Sequence, residues 1–124
     1  MDESSIRTVV DAYLRSLGAE RDLSALTVEA YRRDLDQFVG WLARSGVDSL
    51  GGLNRRVLRR YVAWLSENRY ARRSIARKAS AIRALLKWAV IHDLIGANPA
   101  DGLAAPKLDR PLPKILREDD AATL

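Results

Sequence analysis

Apolar residues recur every three or four positions along most of this chain, a period that predicts helices rather than strands. Ile6, Val9, Val10, Tyr13, Leu14 and Leu17 form the first stripe. Ser4 or Ser5 can cap its start and Gly18 can stop it, so a helix is expected over residues 4–17. A short polar connection follows at 19–23. The second helix begins near Ser24 or Thr27, buries Val28, Tyr31, Leu35, Phe38, Val39 and Leu42, and runs to about Ser45, where Gly46 ends it. Residues 47–53, rich in glycine and serine, read as a loop. Asn54 then caps a third helix to about Asn68, which buries Val57, Leu58, Tyr61, Val62 and Leu65 and carries Arg55, Arg56, Arg59 and Arg60 outside.

The short link at 68–71 makes the next helix a neighbour of the third. With Ser74 as its natural N-cap it is expected to run to about His92. Ile75, Ala79, Ile82, Leu86 and Ala89 fall on one buried stripe, and Arg73, Arg77, Ser80, Ala84 and Lys87 line up opposite, flanked by Arg83. Between Arg69 and Lys87 there is no carboxylate, so none of these cations has an acid one turn away. A helix with one apolar face and one cationic face punctuated by small residues suits an anionic groove. The plainer alternative is a solvated basic face.

Beyond the fourth helix, residues 95–99 stop and restart the chain. Asn98 is a good cap and Pro99 is tolerated at a first helical position, so a short fifth helix is expected at about 99–103. From residue 105 the prolines Pro106, Pro111 and Pro113 alternate with charge and make an extended linker over 105–115. Residues 116–124 look like the opening turns of a further element. The fold class is all-α: a four- to five-helix bundle over 1–104 followed by a Pro-rich linker.

Composition sharpens the picture at one point. The chain of 124 residues carries a formal net charge of +5, but residues 54–88 alone hold +10 and the remainder −5. So uneven a split points to a polyanion-facing side, with nucleic acid ahead of a membrane surface as the partner. There is no cysteine, which excludes disulfides and thiolate metal sites. His92 is the only histidine and has no carboxylate cluster beside it, so no metal or other cofactor is expected. No apolar run reaches membrane-span length, and the start is unlike a signal peptide. A soluble, cytoplasmic protein without a small-molecule substrate is the reading.

Several phrases, taken together, resemble the N-terminal core-binding domain of tyrosine recombinases, most closely the Xer branch (XerC/XerD-like). They are LSALTVEAYRRDL at 23–35, SIARKASAIR at 74–83, NPA at 98–100, APK at 105–107 and RPLPK at 110–114. The resemblance implies a SAM-like bundle that clamps one face of a DNA half-site, its second and fourth helices meeting the major groove. It also implies a linker to a separate catalytic domain, of which 116–124 would be the start. That domain would carry the Arg, Lys, His and nucleophilic Tyr that cleave and rejoin DNA through a phosphotyrosine intermediate. By position, Thr27 corresponds to a residue that touches backbone phosphate, and Arg73 and Arg77 to groove-facing residues of the fourth helix. Ser74 caps that helix and reaches phosphate through its N-terminus. Relatives often carry Gly in the turn before this helix. Here the turn is Asn68-Arg69-Tyr70-Ala71, with Asn68 able to take the left-handed conformation.

The candidate DNA-binding residues are therefore Thr27, Arg73, Ser74, Arg77, Lys78, Ser80, Arg83 and Lys87. Arg73 and Arg77 are assigned to base edges, since arginine pairs bidentately with guanine, or else to phosphate alone. Arg83 and Lys87 are assigned to phosphates. Lys78 lies nearer the buried stripe and either reaches DNA or runs its stem along the core. Arg55, Arg56, Arg59 and Arg60 either extend the cationic surface or are simply solvated, and Arg32 and Arg33 either reach DNA or pair with Asp36. Tyr13, Tyr31 and Tyr61 read as core, and Trp41, Trp64 and Trp88 as packing, with Trp88 far enough off the stripe to meet a neighbouring subunit or another domain. Asp34, Asp36, Asp119 and Asp120 do not converge on an acid–base pair, so no catalytic residue is expected. The function read is the DNA-binding arm of a Xer-like recombinase, in DNA integration, recombination and chromosome dimer resolution. Its partners would be double-stranded DNA and other recombinase protomers. A mobile-element integrase, a helix-turn-helix regulator and a helical adaptor for an acidic protein are the alternatives.

Overall fold

The computed structural model describes residues 5–20 and 23–101. They form four helices, α1 (Ile6–Glu20), α2 (Ala25–Arg44), α3 (Arg55–Glu67) and α4 (Arg72–Ile91), with one 3₁₀ turn at Leu50–Gly52 between α2 and α3. Among the described residues there is no strand, only an isolated antiparallel bridge between Ser5 and Ser49. The all-α expectation holds. The linker and the element expected at 105–124 lie outside the described residues.

Each helix exists because its apolar stripe has somewhere to go. α1 packs on α2 and α4, and α4 packs on α2 and α3. Ile6, Val10, Leu17, Leu35, Phe38, Leu42, Leu58, Tyr61, Leu65, Ile75, Leu85 and Leu86 are all buried in one core. Tyr61 is its aromatic hub, with ring centroids 5.0 Å from Phe38 and 5.2 Å from Trp41. The stripe of α4 read from the sequence is buried in full. Val28, Tyr31, Val39 and Val62 sit at the edge of the core, half-buried.

Helix ends correct several expectations. α1 does not stop at Gly18 but runs through it to Glu20. Gly18 is exposed and keeps a helical backbone; a glycine there costs the helix about 1 kcal/mol relative to alanine, too little to end it. At the start of α1, Ser5 O accepts the first helical bond from Val9 N at 3.1 Å, and Ile6 N donates to Asp48 O of the α2–α3 loop at 3.0 Å. Ser24 caps α2 and Asn54 caps α3, accepting from Thr27 N at 3.2 Å and Val57 N at 2.9 Å.

Three helices end in the same six-residue motif. For α2, Val47 N donates to Leu42 O and Gly46 N to Ala43 O, with Gly46 at φ 81°. For α3, Tyr70 N donates to Leu65 O and Arg69 N to Ser66 O. For α4, Leu94 N donates to Ala89 O and Asp93 N to Val90 O. The left-handed position is Arg69 (φ 66°) in one and Asp93 (φ 60°) in the other. Asn68 was read as able to take that conformation. It serves instead as the α3 C-cap, because the motif puts the left-handed residue one position later.

After α4 the chain folds back onto the bundle. Asn98 Oδ1 accepts from Ala100 N at 2.8 Å, Arg55 Nη2 donates to Asp101 O at 2.7 Å, and Ala100 is fully buried. Residues 99–101 form a turn where a fifth helix was expected to begin; the rest of that expectation lies outside the described residues.

Candidate nucleic-acid interface

α4 carries the candidate site. Arg73, Arg77, Ser80 and Lys87 are exposed on its outer side, with Ala84 half-buried between them. The stripe from Arg73 to Lys87 spans about 21 Å at 1.5 Å per residue. Arg73 and Lys87 form no salt bridge with any described residue. Arg83 is half-buried and donates through Nη2 to Ser80 Oγ at 3.2 Å.

At Arg77 and Lys78 the structure departs from an unpaired cationic face. Arg77 Nε donates to Asp34 Oδ2 at 2.9 Å and Nη2 to Oδ1 at 3.0 Å, a two-bond fork. Lys78 Nζ donates to the same Oδ1 at 2.9 Å. No acid lies within α4, but α2 supplies one across the interface. Asp34 is only 4% exposed and Lys78 7%. Lys78 therefore does not stand on the open face expected of a DNA contact. Both its stem and its ammonium are inside, the ammonium 5.3 Å from the Tyr70 ring centroid. Arg77 keeps 55% of its side chain exposed. Burial alone pushes the Asp34 carboxyl up, but the hydrogen bonds and charges of Arg77 and Lys78 outweigh it and hold the group below the ordinary carboxylate range. The Asp34 bond in turn raises the Arg77 guanidinium.

Ser74 was expected to cap α4. The cap is Ala71, three residues earlier, which offers no side-chain acceptor. Ser74 is half-buried inside the first turn, and the leading backbone N–H groups of α4 stand without a side-chain cap. Thr27, half-buried, accepts from Ser24 Oγ at 2.9 Å and lies two turns before Asp34 on the same side of α2.

Several other cations are already engaged, while Arg33, Arg56 and Arg59 are exposed and form no salt bridge with any described residue. Arg7 of α1 bonds Asp36 at 2.9 Å and Asp11 at 3.3 Å, so Asp36 partners α1 rather than Arg32 or Arg33. Arg32 approaches Glu29 at 3.6 Å. Arg60 lies over the Trp41 ring and Arg44 over Trp64, 6.0 and 5.9 Å from the centroids. Trp88 is half-buried, edge-on to Tyr13 at 5.7 Å and 4.3 Å from His92. The sequence reading missed Asp34, Gln37 and Tyr70. Gln37 Nε2 donates to Tyr70 Oη at 2.6 Å, so these residues and Lys78 form one polar seam between α2 and the start of α4. A signal for it was present: Asp34 follows Tyr31 by three and precedes Phe38 by four, an acid on an otherwise apolar stripe.

These features define an all-helical module with a cationic face of α4 turned outward. The chain belongs to the phage integrase N-terminal SAM-like domain family, whose model matches residues 10–92. It is 38% identical to tyrosine recombinase XerC of Psychromonas ingrahamii over 94% of this chain and 39% of that one. It is 40% identical to tyrosine recombinase XerC of Pseudomonas fluorescens over 93% of this chain and 38% of that one. The chain thus spans about two-fifths of these relatives' length. Among solved structures, the N-terminal domain of a phage integrase/site-specific recombinase from Haloarcula marismortui superposes with a TM-score of 0.76. It covers 83% of this chain and 97% of that one at 16% identity, a likeness of fold. No helix among the described residues is long and apolar enough to cross a membrane.

Proposed function

We propose that this chain is the DNA-binding arm of a Xer-like tyrosine recombinase and grips one face of a duplex half-site through α4 and the start of α2. The observation that carries this reading is the outward stripe of α4. Arg73 and Lys87 stand without a salt bridge among the described residues at its two ends, with Arg77 between them held in a fixed pose. Small residues, Ser80 and Ala84, separate the cations and let a phosphate backbone or base edge come close. Membership of the SAM-like family and the similarity to XerC recombinases over nearly the whole chain support the assignment.

In this reading Arg73, Lys87 and Arg83 hold phosphates, Arg77 reads a base edge, and Thr27 and Ser74 bring the starts of α2 and α4 to the backbone. Cutting and rejoining of DNA belong to the remainder of the recombinase, and other protomers complete a synapse on the same DNA in the cytoplasm. Chromosome dimer resolution is the role the XerC likeness favours, with integration of a mobile element as the close variant. An NMR titration with a short duplex tests the grip. Amide shifts should concentrate at Arg73, Arg77, Ser80, Lys87 and the start of α2, and leave α1 still. Shifts centred on α1 or on the Trp41–Trp64 face would overturn it.

A further inference from the structure

The Asp34–Arg77–Lys78 cluster does more than join two helices. We infer that Asp34 is the positioning residue for base readout, aiming the free edge of Arg77 at the duplex from beneath. The inference rests on the proposed DNA-binding role and adds to it how selectivity is set.

A guanidinium offers five N–H donors in one plane. Asp34 takes one from Nε and one from Nη2. Three remain, two on Nη1 and one on Nη2. The edge formed by Nη1 and Nη2 is still a two-donor fork, turned away from the carboxylate. That fork matches the O6 and N7 acceptors of guanine in the major groove. An arginine free to rotate would lose side-chain entropy on docking; one already forked onto a buried acid has lost it beforehand.

Lys78 explains why the acid does not spoil the site. A lone carboxylate beneath Arg77 would cancel its charge and repel phosphate. With the Lys78 ammonium on the same oxygen, the cluster of one acid and two bases keeps a net charge of +1. Arg73 and Lys87, which no acid among the described residues holds, can follow a phosphate wherever it lies. Arg77 cannot. Mobile cations suit the backbone and a fixed one suits a base edge.

The test uses the 124-residue chain and a pool of duplexes with a randomised window one helical turn long. Bound duplexes are sequenced for the wild type, Asp34→Asn, Arg77→Ala and the double variant. Arg77→Ala should abolish the preference at one base pair. Asp34→Asn should weaken the preference at that same base pair about tenfold, leave the others in place, and add nothing on the Arg77→Ala background. Because Asp34→Asn leaves Lys78 buried without its acid, Asp34→Asn/Lys78→Met serves as a second variant that removes both buried charges. It should show the same selective loss with a cooperative melt. An even loss at every base pair, additive with Arg77→Ala, would make Asp34 a purely structural residue and overturn the inference. So would a wild type that binds the pool without any base preference. A wild type that binds no duplex at all would instead sink the DNA-binding reading itself.

Discussion

Asp34 and Arg77, 43 residues apart in the chain, meet through two hydrogen bonds of 2.9 and 3.0 Å that fix α4 against α2. The acid is buried and the guanidinium is half outside, so the pair links the core to the outward face of α4.

This link makes stability depend on acid. The folded-state pKa of Asp34 lies below its ordinary value, so its stabilisation is complete above about pH 4 and is lost as pH falls through the folded value. Removing the charge at neutral pH leaves Lys78 buried without a counter-ion and should cost ~3–5 kcal/mol, most of it recovered in Asp34→Asn/Lys78→Met. Urea melts at pH 7 and pH 3 check both points. The gap between wild type and Asp34→Asn should narrow at pH 3; an equal gap at both would remove Asp34 as the titrating group.

Arg69 holds a left-handed backbone at the α3–α4 turn, which glycine adopts without steric cost. Arg69→Gly should therefore raise the unfolding free energy by about 0.5–1 kcal/mol, and Arg69→Val should lower it. Thermal melts of the two variants should move in opposite directions. A drop in both would show that the Arg69 side chain contributes more than its backbone strain costs.

The caps are distinguishable by single substitutions. Ser24→Ala and Asn54→Ala each remove an acceptor from a helix start and should cost ~1 kcal/mol. Ser74→Ala should cost less than either, because the α4 cap is Ala71. A Ser74→Ala loss as large as the other two would restore Ser74 as the cap.

The four helices were legible because their cores are written at helical spacing. Ile75, Ala79, Ile82, Leu86 and Ala89 needed no partner information to be assigned inward. The ends were less legible, since whether Gly18 stops a helix or Ala71 starts one depends on backbone bonds made by neighbouring turns. The candidate site was legible only as a stripe of like charge. Its organising acid lies on another helix, and a rule that looks one turn along α4 cannot find it. An acid at a core position of α2 was the visible trace of that contact. The same blindness left Lys78 open between a DNA contact and a stem along the core, because the acid that holds its ammonium inside lies on α2.

The most direct measurement is duplex binding by fluorescence anisotropy across a range of salt, for the wild type and Arg73→Ala/Lys87→Ala. Log affinity should fall linearly with log salt, by about 0.9 per phosphate neutralised, and the double variant should lose nearly two of those units from the slope. A wild-type affinity indifferent to salt, or a double variant with the wild-type slope, would contradict the claim that the outward stripe of α4 grips DNA.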